Sequence, residues 1–262
     1  MALYTTDAIV LRARPLGEAD VLLTLLTQEE GKVSVVARGA RRGRSRLLSA
    51  TQPFTESRVM VWRGRGLDNL SQSEPLNAFR GLQQDLGRLA GASYAAELLD
   101  HFVGEREPNP DLYALFHEVL TYLSRAEGPA ALVKGVNVFE LRLMRILGYE
   151  PEVGRCAACG AELGAQVRFS LGLGGALCPL CFVRDPAARP VSPGALAVLR
   201  RLSETPWERL HVIDLGTQRR EVVRLLRGFI DFRREGPLKA REFFDLVCGE
   251  SEEGEVARDP AQ

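Results

Sequence analysis

The spacing of apolar residues divides the chain into a front part with period two and a longer part with a period near 3.6. Ala8-Ile9-Val10-Leu11 and Val21 to Leu26 are β-prone runs, and Glu29-Glu30-Gly31 turns the chain into a third, Lys32 to Ala37. Ser57 to Trp62 alternates polar and apolar positions, and Asn69 to Ser73 supplies a weaker fifth run. Five short strands within residues 1–78 predict a small closed barrel, because closure removes exposed strand edges. The five-stranded OB-fold is the barrel of that size associated with oligonucleotides, although the strand count alone also fits an SH3-like barrel.

Beyond Pro75 the period lengthens. Leu82, Leu86 and Leu89 fall at helical spacing, Leu98, Leu99, Phe102 and Val103 continue the face, and Pro108 and Pro110 end the segment. A second helix is predicted from about Asp111 to Ser124 and a third from Pro129 to Leu147, with Gly148 placed to terminate it. Residues 79–150 thus read as three antiparallel helices. Residues 151–189 lose the period and carry glycine and cysteine. Helices return at Ser192, a capping residue followed by Pro193, then after Thr217 through Val222, Leu226, Phe229 and Ile230, and last from Leu238 to Val247. Helices on both sides make 151–189 an expected insertion into one helical domain, whose second part is 190–248. The tail, 249–262, has the acidic, polar composition of a disordered segment. The expected class is α+β multidomain: an N-terminal OB-fold β-barrel, then a helical domain with an inserted four-cysteine zinc-finger module.

Charge changes the picture only when it is read locally. The 262 residues hold 34 Lys and Arg against 34 Asp and Glu, a formal net charge of zero that argues against a uniformly basic nucleic-acid binder. Charges act over only about 10 Å at ordinary salt, however, so regional charges can cancel in the sum and still act separately. Residues 32–65 carry +8, from Lys32, Arg38, Arg41, Arg42, Arg44, Arg46, Arg58, Arg63 and Arg65 against Glu56. These nine are the candidate DNA-binding residues. The five between Arg38 and Arg46 alternate with glycine and small residues, a loop able to lay guanidinium groups along phosphates. A coding bias explains why the chain has only three lysines, but not why acids are missing beside these arginines. Tyr4, Phe54 and Trp62 could each serve as barrel core or as platforms on which bases stack. Arg220, Arg224, Arg227 and Arg234 follow helical spacing, which fits an ordinary solvated face or a second basic surface. No apolar run has the roughly 20 residues of a membrane span, and Met1 to Asp20 carries charges where a signal peptide needs an apolar core. A cytoplasmic, nucleoid-associated protein with no membrane partner is expected.

Cys156-Ala-Ala-Cys159 and Cys178-Pro-Leu-Cys181 are separated by 18 residues, the spacing of a zinc ribbon or knuckle. Four sulfurs complete a tetrahedron and leave no position for water, so the expected Zn2+ is structural. Cys248 is expected to be a buried small residue. No phosphate-binding G-x-x-x-x-G-K-[ST], H-E-x-x-H or G-x-S-x-G occurs, and His101, His117 and His211 stand apart. No catalytic residues are expected. DNA work without an ATP site reduces to binding, annealing or handing over.

Ala37-Arg-Gly-Ala-Arg-Arg-Gly-Arg-Ser45 followed by Gln52-Pro-Phe54 resembles the N-terminal signature of the RecO family of bacterial recombination mediators. Tyr94-Ala-Ala-Glu-Leu98 with Asn109-Pro110 is similar to that family's helical domain. Leu147-Gly-Tyr-Glu-Pro151, the two cysteine pairs, Phe169-Ser170 and Gly174-Gly175 are similar to its zinc module, and Pro237-Leu-Lys-Ala-Arg241 to its last helix. Ala240 stands where many relatives are expected to have serine. The resemblance covers residues 1 to about 247. It implies binding to single- and double-stranded DNA, annealing of complementary strands, partnership with RecR and with the acidic tail of single-strand binding protein, and help in loading RecA. A protein-interaction adaptor that captures acidic peptides, with DNA contact secondary, is the alternative.

Overall fold

The computed structural model describes residues 2–42, 45, 47–234 and 236–249. The first five strands are β1 (Leu3–Leu16), β2 (Asp20–Thr27), β3 (Gly31–Ala37), β4 (Glu56–Trp62) and β5 (Asp68–Asn77). They close into a barrel of order β1-β2-β3-β5-β4, an OB-like arrangement, with β3 and β5 parallel and every other pair antiparallel. The apolar positions of the period-two pattern point inward: Val10, Leu23, Leu25, Val33, Val35, Val59, Val61 and Leu70 form the barrel core. β1 is far longer than the run Ala8 to Leu11 suggests, because it serves two neighbours. Leu3 to Ile9 pairs with β4, and Ala8 to Leu16 pairs with β2 through a bulge between Val10 and Arg12 that lets the strand bend.

Three helices follow: α1 (Leu86–Phe102), α2 (Pro110–Leu123) and α3 (Gly128–Ile146). Leu82 falls outside α1, in a 3-10 turn over Arg80–Gln84, because the Asp85 side chain caps α1 by accepting the Arg88 N–H at 2.8 Å. Asn109 caps α2 in the same way. Gly148 ends α3 with φ at +80°, as its position implies. The cysteine segment forms three very short strands, β6 (Arg168–Ser170), β7 (Gly175–Leu177) and β8 (Arg189–Pro190), in the order β7-β6-β8. Then come α4 (Pro193–Glu204), capped by the Ser192 hydroxyl, α5 (Arg219–Asp231) and α6 (Lys239–Cys248).

The helices before and after the cysteine segment share one core. At the N-terminus of α6 the amides of Lys239 and Ala240 donate to the two carboxylate oxygens of Glu97 on α1, at 3.0 and 2.9 Å. Tyr94 of α1 stacks on Phe244 of α6 and donates its hydroxyl to Glu140 of α3 at 2.6 Å. Burial pushes that carboxyl up to about 7. Cys248 is buried, as expected. Ile9, Leu11, Leu26 and Phe54 of the barrel belong to the same helical core, so the barrel leans on the helices through its outer apolar residues. No helix among the described residues is long and apolar enough to cross a membrane. Of the expected disordered tail, 249–262, Gly249 ends α6 with φ at +71° and residues 250–262 lie outside the described residues.

Candidate nucleic-acid interface and cysteine centre

Arg38, Arg41 and Arg42 leave the end of β3 and are all exposed. The Arg41 amide donates to the Ala19 carbonyl at 2.9 Å and its guanidinium to the Gly17 carbonyl at 3.2 Å, while the Gly39 amide donates to Asp20 at 2.8 Å. These bonds tie the start of the loop to the β1–β2 turn. In OB-folds the outer face of the second and third strands, with the loops joining strands one to two and four to five, is where oligonucleotides lie. Arg65 sits in the β4–β5 loop, exposed. Arg14, which counting charge over 32–65 misses, is exposed on β1 opposite Leu22 of β2. None of Arg14, Arg38, Arg41, Arg42 and Arg65 has a carboxylate partner among the described residues. Arg44 and Arg46 lie outside the described residues.

The remaining candidates of this set are already engaged. Arg58 makes a bidentate pair with Asp7 at 2.8 and 3.0 Å, and Arg63 pairs with Glu30 while its guanidinium lies 5.3 Å over the Tyr4 ring. Lys32 must be corrected: it is buried, and its ammonium donates to the Asp100 carbonyl of α1 at 2.6 Å. It fastens barrel to helix and presents nothing to a phosphate. Beside it the segment between α1 and α2 runs along β3, with the Arg106 amide donating to the Lys32 carbonyl at 2.8 Å. Arg106 also reaches the fully buried Asp68 at 2.8 Å. Burial opposes ionisation of Asp68, but the Gly64 amide, the Tyr4 hydroxyl and Arg106 together hold its carboxyl below the usual range. The three aromatics divide accordingly. Phe54 is buried in the shared core, Tyr4 is half-buried and held by Asp68, and Trp62 is 43% exposed at the end of β4.

The second basic set is divided too. Arg220 and Arg224 are exposed on α5, without carboxylate partners among the described residues. Arg227 turns inward to Asp245 of α6, and Arg234 lies past the end of α5 with its side chain only 5% exposed against Asp231, at 2.6 Å. A single solvated face carrying all four arginines is therefore a misreading. The helix ends before Arg234, and α6 covers Arg227.

The four cysteines converge. The sulfurs of Cys156, Cys159, Cys178 and Cys181 all lie within 4.8 Å of one another. Gly160, with φ at +73°, donates its amide to the Cys156 carbonyl at 2.8 Å and closes the first pair into a tight turn. A 3-10 turn over Pro179–Arg184 does the same for the second. Four thiolates around a zinc ion at about 2.3 Å are roughly 3.8 Å apart, and the Cys159 to Cys178 separation of 3.8 Å matches one edge of such a tetrahedral set. Burial works against ionisation of Cys156, yet the amides of Cys178, Ala158 and Cys159 draw its thiol down to about 6. The cluster could hold a metal ion.

A closed OB-like barrel with an arginine-rich exit from its third strand, joined to a helical region bearing a four-cysteine cluster, is an architecture of the oligonucleotide-binding kind. Comparison with known proteins narrows this. The family described as Recombination protein O N terminal matches residues 1–79, and Recombination protein O C terminal matches residues 83–242. The chain is 42% identical over 252 residues to the DNA repair protein RecO of Symbiobacterium thermophilum, covering 94% of this chain and 98% of that one. It is 39% identical over 262 residues to that of Pelotomaculum thermopropionicum (99% and 100%), and 44% identical over 232 residues to that of Desulforudis audaxviator (88% and 91%). The chain belongs to the RecO family of DNA repair proteins.

Proposed function

We propose that the protein binds single- and double-stranded DNA on the outer face of its barrel, anneals complementary strands and, with RecR, helps load RecA onto DNA coated with single-strand binding protein. The observation that carries this reading is the exposed group Arg38, Arg41 and Arg42 leaving the third strand of an OB-like barrel in a RecO-family chain. Guanidinium groups without carboxylate partners can neutralise phosphates, and each phosphate neutralised releases counterions. Two strands held on one surface have a raised effective concentration, which suffices for annealing without nucleotide hydrolysis. RecR, RecA and the acidic tail of single-strand binding protein are carried over from the family resemblance. Arg220 and Arg224 offer an exposed cationic surface of the kind an acidic tail needs.

The ion assigned to the cysteine cluster is Zn2+, for which four thiolates in a closed set are the preferred structural donors. The proposed division of the chain is a barrel over 1–78, one helical domain in two parts, 79–150 and 190–248, and an inserted module over 151–189. The packing of α6 on α1 supports it.

The test is salt. Replacing Arg38, Arg41 and Arg42 by alanine should lower the slope of log affinity against log salt for duplex DNA by about 2–3, since each phosphate contact contributes about 0.9. An unchanged slope places the DNA elsewhere. Annealing of complementary oligonucleotides coated with single-strand binding protein, with and without RecR, tests the second half of the reading.

A further inference from the structure

The strand register draws an outward-facing row of residues around the barrel. Arg14 on β1 is opposite Leu22 on β2, Leu22 is opposite Val36 on β3, Val36 is opposite Asn69 on β5, Asn69 is opposite Trp62 on β4, and Trp62 is opposite Leu3 at the other end of β1. Their neighbours along the strands, Val21, Leu23, Val35, Val61 and Leu70, fill the barrel core, whereas none of the six in the row belongs to it. The row therefore lies on the outside. Arg14 stands at its β1 end and Arg38 two residues beyond its β3 member, both exposed and without carboxylate partners among the described residues; Trp62, 43% exposed, stands on β4 beside Leu3, 44% exposed, with Arg65 in the loop just beyond. Between them lie Leu22, half-buried, and Val36, buried at 8% exposure. Four inter-strand steps of about 4.8 Å separate Arg14 from Trp62 along the barrel surface, a length that accommodates several nucleotides.

We propose that Trp62 is a base-stacking platform for single-stranded DNA, four strand steps around the barrel from the phosphate contact of Arg14 and two from the strand that carries Arg38. The inference rests on the DNA-binding reading above and adds to it the group that meets an unpaired base. An indole face on the surface near the unpaired guanidinium of Arg65 suits an anionic chain with exposed π-faces better than an apolar protein partner. Tyr4 and Phe54 do not compete for the role, since one is held under Arg63 and the other is buried. Stacking needs a base out of its pair, so the contribution of Trp62 belongs to single strands and not to duplex.

The experiment uses the full chain and a short oligothymidylate beside a duplex of equal length. Trp62→Ala should weaken single-strand binding about tenfold, equivalent to ~1.4 kcal/mol, while duplex affinity and the salt slope of both stay as in the unsubstituted protein. Trp62→Phe should recover most of the loss. In a Trp207→Phe background Trp62 is the sole tryptophan, and its fluorescence should be quenched by the oligothymidylate. Full single-strand affinity in Trp62→Ala, or an equal loss for single strand and duplex, would overturn the assignment and leave Trp62 to a protein partner or to barrel packing. Absence of all DNA binding by the unsubstituted protein would instead overturn the functional reading on which it rests.

Discussion

At Gly31 the backbone adopts φ of +70°, and a Cβ there would lie 2.4 Å from the Glu107 carbonyl oxygen. Only glycine lets the segment before α2 approach β3 this closely, and that approach positions Arg106 against Asp68. Gly31→Ala is expected to destabilise the protein by roughly 2–3 kcal/mol in urea unfolding, combining backbone strain with a clash against backbone that cannot yield. Gly17→Ala is the control: φ is +62°, but nothing lies within 4 Å of the added methyl, so only strain of about 1 kcal/mol should appear. Equal losses at the two positions would show that the docked segment contributes nothing. Single residues were also the scale at which the sequence was hardest to read. Lys32 counts as one more cation among arginines until its partner, Asp100, is brought in from 68 positions away, and Arg227 is hidden in the same way by Asp245. Trp62 was more legible than it looked. Period two places it with Arg58 and Met60, on the opposite side from Val59 and Val61.

Elements were legible where they are long and regular. The Ser192 cap and the stop at Gly148 follow from local chemistry, so the ends they set shift by only a residue or two, whereas the start of α1 moves from Leu82 to Leu86, where the Asp85 cap sets it. The strands of the cysteine segment are two or three residues long and have no period; pairing alone defines them. What holds this segment is equally unusual. Its own buried cluster is Cys156, Cys178 and Cys181 with only Leu177 and Ala188, while its Val167, Phe169 and Ala176 are buried in the helical core instead. It is fastened to the helices by Phe169, edge-on to Phe229 of α5 at 5.8 Å, and by Val167 and Ala176, which with Phe169 belong to the helical core. Purified protein should therefore contain one zinc per chain, and chelation should expose residues 151–189 to limited proteolysis, because an apolar remnant this small cannot stay folded alone. The barrel, with a separate core, should keep its circular dichroism. Protection of 151–189 that persists after the metal is removed would show that the packing of Val167, Phe169 and Ala176 on the helical core suffices.

For the whole molecule the question is what keeps barrel and helices in one arrangement. Besides the shared core, polar contacts join them, among them Lys32 and Arg12 on Asp100, Arg106 on Asp68, and Glu56 of β4 facing α2. Glu56 accepts the Tyr113 hydroxyl at 2.8 Å and lies 3.5 Å from the His117 ring nitrogen, so both its oxygens are engaged. The bond to His117 holds the Glu56 carboxyl below its ordinary 4.5, and the same bond raises the imidazole above its ordinary 6.5. The signs differ for the two groups. A lowered carboxyl contributes stability that is present above about pH 4.5 and is lost as pH falls through its folded value. A raised imidazole contributes stability that is complete below about pH 6.5 and is lost as pH rises through its folded value. The contact should accordingly be strongest between about pH 4.5 and 6.5, and because His117 is 39% exposed its worth should be only about 0.5–1 kcal/mol. Urea midpoints measured from pH 5 to pH 9 should then fall less steeply above pH 6.5 in His117→Ala than in the unsubstituted protein, with the variant less stable mainly at the acidic end. A constant difference across the whole range would mean that His117 acts through its edge-on packing with Phe79, at 5.4 Å, and not through its charge.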